Sequence, residues 1–195
     1  VLEVIKDNIV SVLKTVGHQK TIESIVRKDL FSGLYSEEYL YGEGRKIIDQ
    51  YTTSTICMYK IINLEEINHK YCRELGNKVI EKTSEYIKQN ISTQYVYVRY
   101  MGPKFVIAFS GVELNGVAEF INELKEKLEN TIISLNETND EEEESKKMEV
   151  CPKLNFTLST YYKGTGLEEV LKKQEEYLDN CDANESNITN ICLLG

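Results

Sequence analysis

Apolar residues recur in steps of three and four at the start of the chain, at Leu2, Ile5, Ile9, Val12 and Val16. That spacing keeps one helix face apolar, as a heptad seam does. Gly17 interrupts the seam, and Ile22, Ile25 and Val26 resume an apolar face. Residues 1–28 therefore read as a helical unit with two open roles. It either pairs two protomers as a signalling helix, or packs as an amphipathic helix on its own domain.

From residue 29 the pattern shortens. Phe31-Ser-Gly-Leu34 reads as a turn, followed by a helix to about residue 50. Thr53 to Ile62 is rich in Thr, Ile, Met and Tyr, which suits a largely buried strand. Asn63 is a predicted helix N-cap, with Glu66 completing a capping box. Ile67, Tyr71, Leu75, Val79, Ile80 and Ile87 then predict one helix to about Asn90. Gln94 to Tyr100 alternates as a strand. Met101-Gly-Pro-Lys104 is a tight connection in which Pro presets a turn, and Phe105 to Ser110 returns as the second strand of a β-hairpin.

Val117, Phe120, Ile121, Leu124 and Leu128 predict a helix over 113–135. Residues 136–147 are polar and contain Glu141-Glu-Glu-Glu144, whose like charges repel and predict a surface loop. Consecutive carboxylates on such a loop do not preorganise a metal site. Leu154 to Tyr162 alternates as a strand. Thr165 and Glu168 predict a second capping box, opening a helix from Leu167 to Asp182. Ile188 to Leu194 predicts a last short strand. The order β-α-β-β-α-β, then α and β, fits an α+β fold with a ferredoxin-like core. The pattern predicts an antiparallel sheet with helices over one face. The domains read as a helix at 1–28 and a folded unit at 29–195.

Charge and composition narrow the partners. A net charge of −9 and a pI near 4.9 disfavour nucleic acid, which needs a basic face. They also disfavour attachment to anionic lipid. No apolar run approaches the roughly 18–20 residues of a membrane span, so membrane attachment is expected only through other parts of a longer parent protein. The start at Val1 rather than Met agrees with a fragment of such a parent. Five Cys without C-x-x-C spacing suggest reduced thiols in a cytoplasmic protein. His18 and His69 are too few for a zinc site. P-loop, H-E-x-x-H and G-x-S-x-G signatures are absent, and no cofactor is expected.

Five segments in register carry a more specific signal. They are Asp29-Leu-Phe-Ser-Gly-Leu-Tyr-Ser-Glu-Glu-Tyr-Leu40, Lys60-Ile-Ile-Asn-Leu-Glu-Glu-Ile-Asn-His-Lys-Tyr-Cys72, Gly76-Asn77, Arg99-Tyr-Met-Gly-Pro-Lys-Phe-Val-Ile107 and Thr157-Leu-Ser159. In that order they resemble the opening D-x-L-T-G-L-Y-N-R-R-x-L, the D-I-D-x-F-K-x-I-N-D-x-Y-G segment, the G-D pair, the R-Y-G-G-D-E-F-V-I hairpin and the T-V-S strand of the GGDEF, or diguanylate-cyclase, family. The resemblance covers about residues 29–191. It implies the GGDEF/nucleotide-cyclase fold, with an additional C-terminal helix and strand, in a bacterial cytoplasmic signalling protein.

The departures bear on activity. In the family, the first Asp of D-I-D and the Glu of G-G-D-E-F hold magnesium, and two metal ions organise attack on the α-phosphate of GTP. Lys60 and Lys104 stand at those positions. A unit charge and a dication about 4 Å apart repel by roughly 8 kcal/mol at an effective dielectric of 20, and lysine supplies no oxygen ligand. Of the turn glycines only Gly102 remains. Met101 adds a Cβ, and Pro103 removes a backbone donor. Asp182 and Ser186 replace the family's late phosphate-binding Lys and Arg. Glu65 and Glu66, the nearest substitute carboxylates in sequence, lie on the helix past the strand end.

Asn68 and Asn77 align with the family's guanine-reading residues, although Asn68 also fits a plain helix-capping or packing role. The product-inhibition motif R-x-x-D falls on Ser92-Thr-Gln-Tyr95, which lacks both the Arg and the Asp. The resemblance therefore implies a catalytically inactive GGDEF-like module, regulatory or protein-binding, that forms a homodimer or meets a protein partner through its N-terminal helix. The alternative is a receptor for GTP or cyclic di-GMP that uses Asn68, Asn77, Lys60, Lys104 and Gly102. Lys60 and Lys104 would then replace the magnesium charge and hold the nucleotide directly. The plainer reading is two solvated lysines.

Overall fold

The computed structural model describes residues 28–136, 147–181 and 186–191. The Leu2–Val16 seam, the Glu141–Glu144 run, Asp182 and the end of the predicted last strand lie outside the described residues.

Strand β2 (Thr53–Ile61) is the axis of the fold. It pairs antiparallel with β4 (Lys104–Ser110) on one side and β7 (Leu154–Tyr162) on the other. The six-stranded sheet runs β1-β3-β4-β2-β7-β8. Here β1 is Tyr35–Ser36, β3 is Val96–Met101 and β8 is Ile188–Asn190. The inner four strands have the predicted ferredoxin-like connectivity. The edges β1 and β8 are short parallel additions to β3 and β7. Short edges leave few unpaired backbone groups open to another chain.

Helices cover both faces of this sheet, not one as the sequence pattern predicts. Cys57, Tyr59 and Ile61 face α2 (Leu64–Lys70), α3 (Arg73–Asn90) and α4 (Leu114–Glu129). Ile56 and Met58 face α5 (Leu167–Asn180) and α1, which joins Glu37–Tyr39, a π-helical turn at Leu40–Gly44, and Arg45–Ile48. A strand covered on both faces needs apolar residues at successive positions. That is why β2 alternates poorly.

Four local expectations also change. The helix predicted to run unbroken to Asn90 divides at Tyr71 and Cys72, giving α2 and α3. Asn63 occupies the N-cap position of α2 without capping it. Its amide instead donates to the Cys151 carbonyl and accepts from the Lys153 N–H, both at 2.9 Å. Gly166, not Thr165, precedes α5, and the Thr165 hydroxyl donates to the Tyr162 carbonyl at 2.7 Å. Last, the helix predicted over 113–135 ends at Glu129, and the chain forms a separate antiparallel pair, β5 (Ile133–Asn136) with β6 (Lys147–Val150). No helix among the described residues is long and apolar enough to cross a membrane.

Candidate functional site: a lysine pair held by one helix

The register of β2 and β4 places Lys60 directly opposite Lys104. Opposed residues in an antiparallel pair project to the same face, and here that face carries α5. The sequence expectation that the two lysines lie close together matches this register. The plainer reading of two solvated side chains does not match: Lys104 is only 7% exposed.

Burying an ammonium group is costly unless carboxylates compensate it. Glu175 and Asp179 do so from α5, where a spacing of four puts both on one helix face. Lys104 Nζ donates to Glu175 Oε1 at 2.7 Å and to Asp179 Oδ2 at 2.6 Å. Lys60 Nζ donates to the other oxygen, Asp179 Oδ1, at 3.1 Å, and lies 3.5 Å from the Leu178 carbonyl. One carboxylate thus bridges two cations. Desolvation pushes the Asp179 carboxyl upward, but its bonds to Lys104 and Lys60 outweigh that and hold it below its ordinary value. Desolvation likewise works against the charge on Lys104, and Asp179 and Glu175 outweigh it. Neither acid stands out in the sequence. Their only signal is the four-residue spacing on an amphipathic helix.

The polar cluster continues toward β1. The Tyr100 hydroxyl on β3 lies 3.3 Å from that of Tyr41. Glu37, nearby, has its carboxyl pushed up by burial and then by the charge on Glu175.

The hairpin between β3 and β4 carries a bulge between Arg99 and Met101, and Gly102 has φ 55°. A side chain is strained at that φ, so glycine belongs there. The Gly102 carbonyl accepts from Arg99 Nε at 3.0 Å, and the Pro103 carbonyl accepts from the Ile61 N–H at 3.0 Å.

Asn68 and Asn77 sit on α2 and α3, in the layer opposite α5. The break at Tyr71 folds α2 back so that the Asn68 side chain lies over Gly76. A Cβ built on Gly76 would fall 1.9 Å from Asn68 Oδ1. Glycine therefore leaves room for the Asn68 amide against α3. Glu65 and Glu66 are exposed on α2. Ser186 is built into the fold, its hydroxyl against Glu129 and the Leu154 carbonyl. The five proposed site residues are thus divided. Lys60 and Lys104 meet under α5, Gly102 turns the hairpin, and Asn68 and Asn77 lie on helices across the sheet.

The family model "Diguanylate cyclase, GGDEF domain" matches residues 26–187. The chain belongs to the GGDEF family. Solved structures agree on the fold. The coiled coil and GGDEF domain of DgcB from Caulobacter crescentus, in complex with c-di-GMP, superposes with a TM-score of 0.80 at 14% identity, covering 96% of this chain and 97% of that one. The FimX GGDEF domain from Pseudomonas aeruginosa gives 0.69 at 12% identity, covering 85% and 99%. The diguanylate cyclase SiaD in complex with its activator SiaC, from Pseudomonas aeruginosa, gives 0.69 at 10% identity, covering 97% and 69%. No curated protein matches the chain significantly.

Proposed function

We propose that this GGDEF domain is non-catalytic and works as a regulatory or interaction module of a cytoplasmic signalling protein. The bridge from Lys60 through Asp179 to Lys104 carries the reading. Lysines stand where the family pattern has metal-binding carboxylates, and the nearest carboxylates are engaged by those lysines. This donor set does not fit magnesium. A dication entering the cluster would meet two ammonium groups, and Glu175 and Asp179 would have to leave them first. Without the metal, the two-ion stabilisation of charge on a transferred phosphate is not available.

Incubation of the protein with GTP and magnesium or manganese tests this directly, with product separated by chromatography. No cyclic di-GMP is expected; turnover would overturn the proposal. The Leu2–Val16 seam is assigned to pairing two protomers, as DgcB also combines a coiled coil with its GGDEF domain. Sedimentation of the whole chain should show a dimer that Ile5→Asp with Ile9→Asp dissociates.

A second reading rests on Asn68, which is exposed and held over Gly76 beside Asn77. Each side-chain amide can accept from and donate to a guanine edge without metal. Calorimetry with GTP and cyclic di-GMP, with and without magnesium, separates the readings. Magnesium-independent binding that Asn77→Ala abolishes would establish a receptor.

A further inference from the structure

Outside the six-stranded sheet, β5 and β6 form a sheet of two strands. Ile133 and Met148 turn inward to the core that α3 and α4 also line. Lys147 and Glu149 alternate with Met148 and point outward, with side-chain exposures of 60% and 44%. That is the period-two pattern of a half-buried strand. Pairing with β5 uses one edge of β6. Among the described residues no strand pairs with its other edge. An open edge presents a row of N–H and C=O groups on which a further strand can be added.

A lysine on an edge strand ordinarily discourages such pairing. Here it is accompanied by its complement. Lys147 and Glu149 flank Met148 on one face of the strand. In an antiparallel pair of two β6 strands centred on Met148, Lys147 of each copy lies opposite the partner's Glu149. Directly opposed residues have Cβ atoms about 4.5–5.5 Å apart, so opposite charges there stabilise and like charges destabilise. The ion pair that Lys147 and Glu149 already make within the strand then widens into a ring of four alternating charges. A parallel pair in register would set lysine against lysine and glutamate against glutamate. The pattern selects the antiparallel arrangement.

We propose that β6 is a docking strand for a second copy of this chain, joined antiparallel through Lys147–Val150, so that two sheets of two strands become one of four. Pro152 has no backbone N–H and limits the length of the ladder. A two-fold contact closes on itself and gives a discrete dimer, not a fibre. The contact is small. Four residues a side bury far less than the roughly 1,600 Å² of a standard interface. Pairing is therefore weak between free chains and gains strength between chains that another contact already holds close. It is separate from the Leu2–Val16 seam and does not depend on it.

The test is sedimentation equilibrium of the whole chain carrying Ile5→Asp with Ile9→Asp, which removes the seam, at concentrations up to about 1 mM. Concentration-dependent dimerisation is expected. Glu149→Lys should weaken it about tenfold, because it sets lysine against lysine. Adding Lys147→Glu to Glu149→Lys should restore it, because the swapped pattern is again self-complementary. Both side chains are exposed, so these variants keep the fold; far-ultraviolet spectra check this. A monomer at every concentration would overturn the proposal. So would dimerisation that Glu149→Lys leaves intact, or that the double swap does not restore. The seam reading is judged apart, from dilute wild type, where pairing through β6 is not populated.

Discussion

Arg99 Nη1 donates to Asp29 Oδ1 at 2.8 Å, joining the signature hairpin to the turn through which the N-terminal segment enters the domain. The other Asp29 oxygen accepts from the Ser32 N–H at 2.7 Å and the Ser32 hydroxyl at 2.8 Å. Both partners are largely buried, with side-chain exposures of 17% and 22%. The ion pair therefore ties the Asp29 turn to the hairpin.

Asp29→Ala removes the turn's acceptor and leaves the largely buried Arg99 without its carboxylate partner. The expected cost is about 2 kcal/mol, read as a lower midpoint in urea unfolding. Asp29→Asn keeps a turn acceptor and should recover roughly half of that loss.

Asp179→Asn should destabilise the domain by roughly 1–2 kcal/mol. The figure is kept small because Asp179 is itself 47% exposed and Lys104 retains Glu175. Lys60→Ala should cost less than Lys104→Ala, because the Lys104 side chain is 9% exposed and that of Lys60 is 25%. Thermal unfolding of the three variants gives the order.

The pH dependence follows from the same group. The folded-state pKa of Asp179 is depressed below its unfolded value of 3.8. Its contribution is thus fully present above that value and is lost as pH falls through the lower folded value. Asp29 has the same sign: desolvation raises its pKa, while the Ser32 and Arg99 bonds outweigh it. Urea unfolding between pH 6 and pH 2.5 should show stability falling below about pH 4. The fall should be shallower in Asp179→Asn; parallel curves would contradict this assignment.

Lys60→Asp combined with Lys104→Glu should convert an ion-paired cluster into a group of four carboxylates with Glu175 and Asp179. Like charges at this spacing repel. The double variant should melt below wild type and regain stability with millimolar magnesium or manganese. Wild type should show no such rise. A metal-insensitive double variant would mean that the carboxylates do not converge.

Gly76→Ala tests the contact with Asn68. The obstructing atom is the end of an exposed side chain, which can rotate away, and Ala favours a helix by about 1 kcal/mol over Gly. Stability should change by less than about 1 kcal/mol in either direction. The Asn68 side-chain amide resonances should move in a nitrogen–proton correlation spectrum, and any magnesium-independent guanine binding should fall.

Local chemistry was sufficient for much of this protein. Leu154–Tyr162 forms the strand its alternation predicts, and the Met101–Lys104 turn joins two strands as its Gly-Pro predicts. These features depend on neighbours a few residues apart, so they are legible in one stretch of chain. The order of the motifs was enough to indicate the family. Other features depend on partners brought together only by folding. Asn63 gives up its capping role to bond residues 88 and 90 positions away. Lys60 and Lys104 look like free surface charges in sequence, yet their carboxylates arrive from α5, more than 70 residues beyond Lys104. Helix α5 is there because Val170, Leu171 and Leu178 bury themselves against the second face of the sheet. The sequence by itself determined that lysines stand at 60 and 104; only tertiary packing decided what holds their charge.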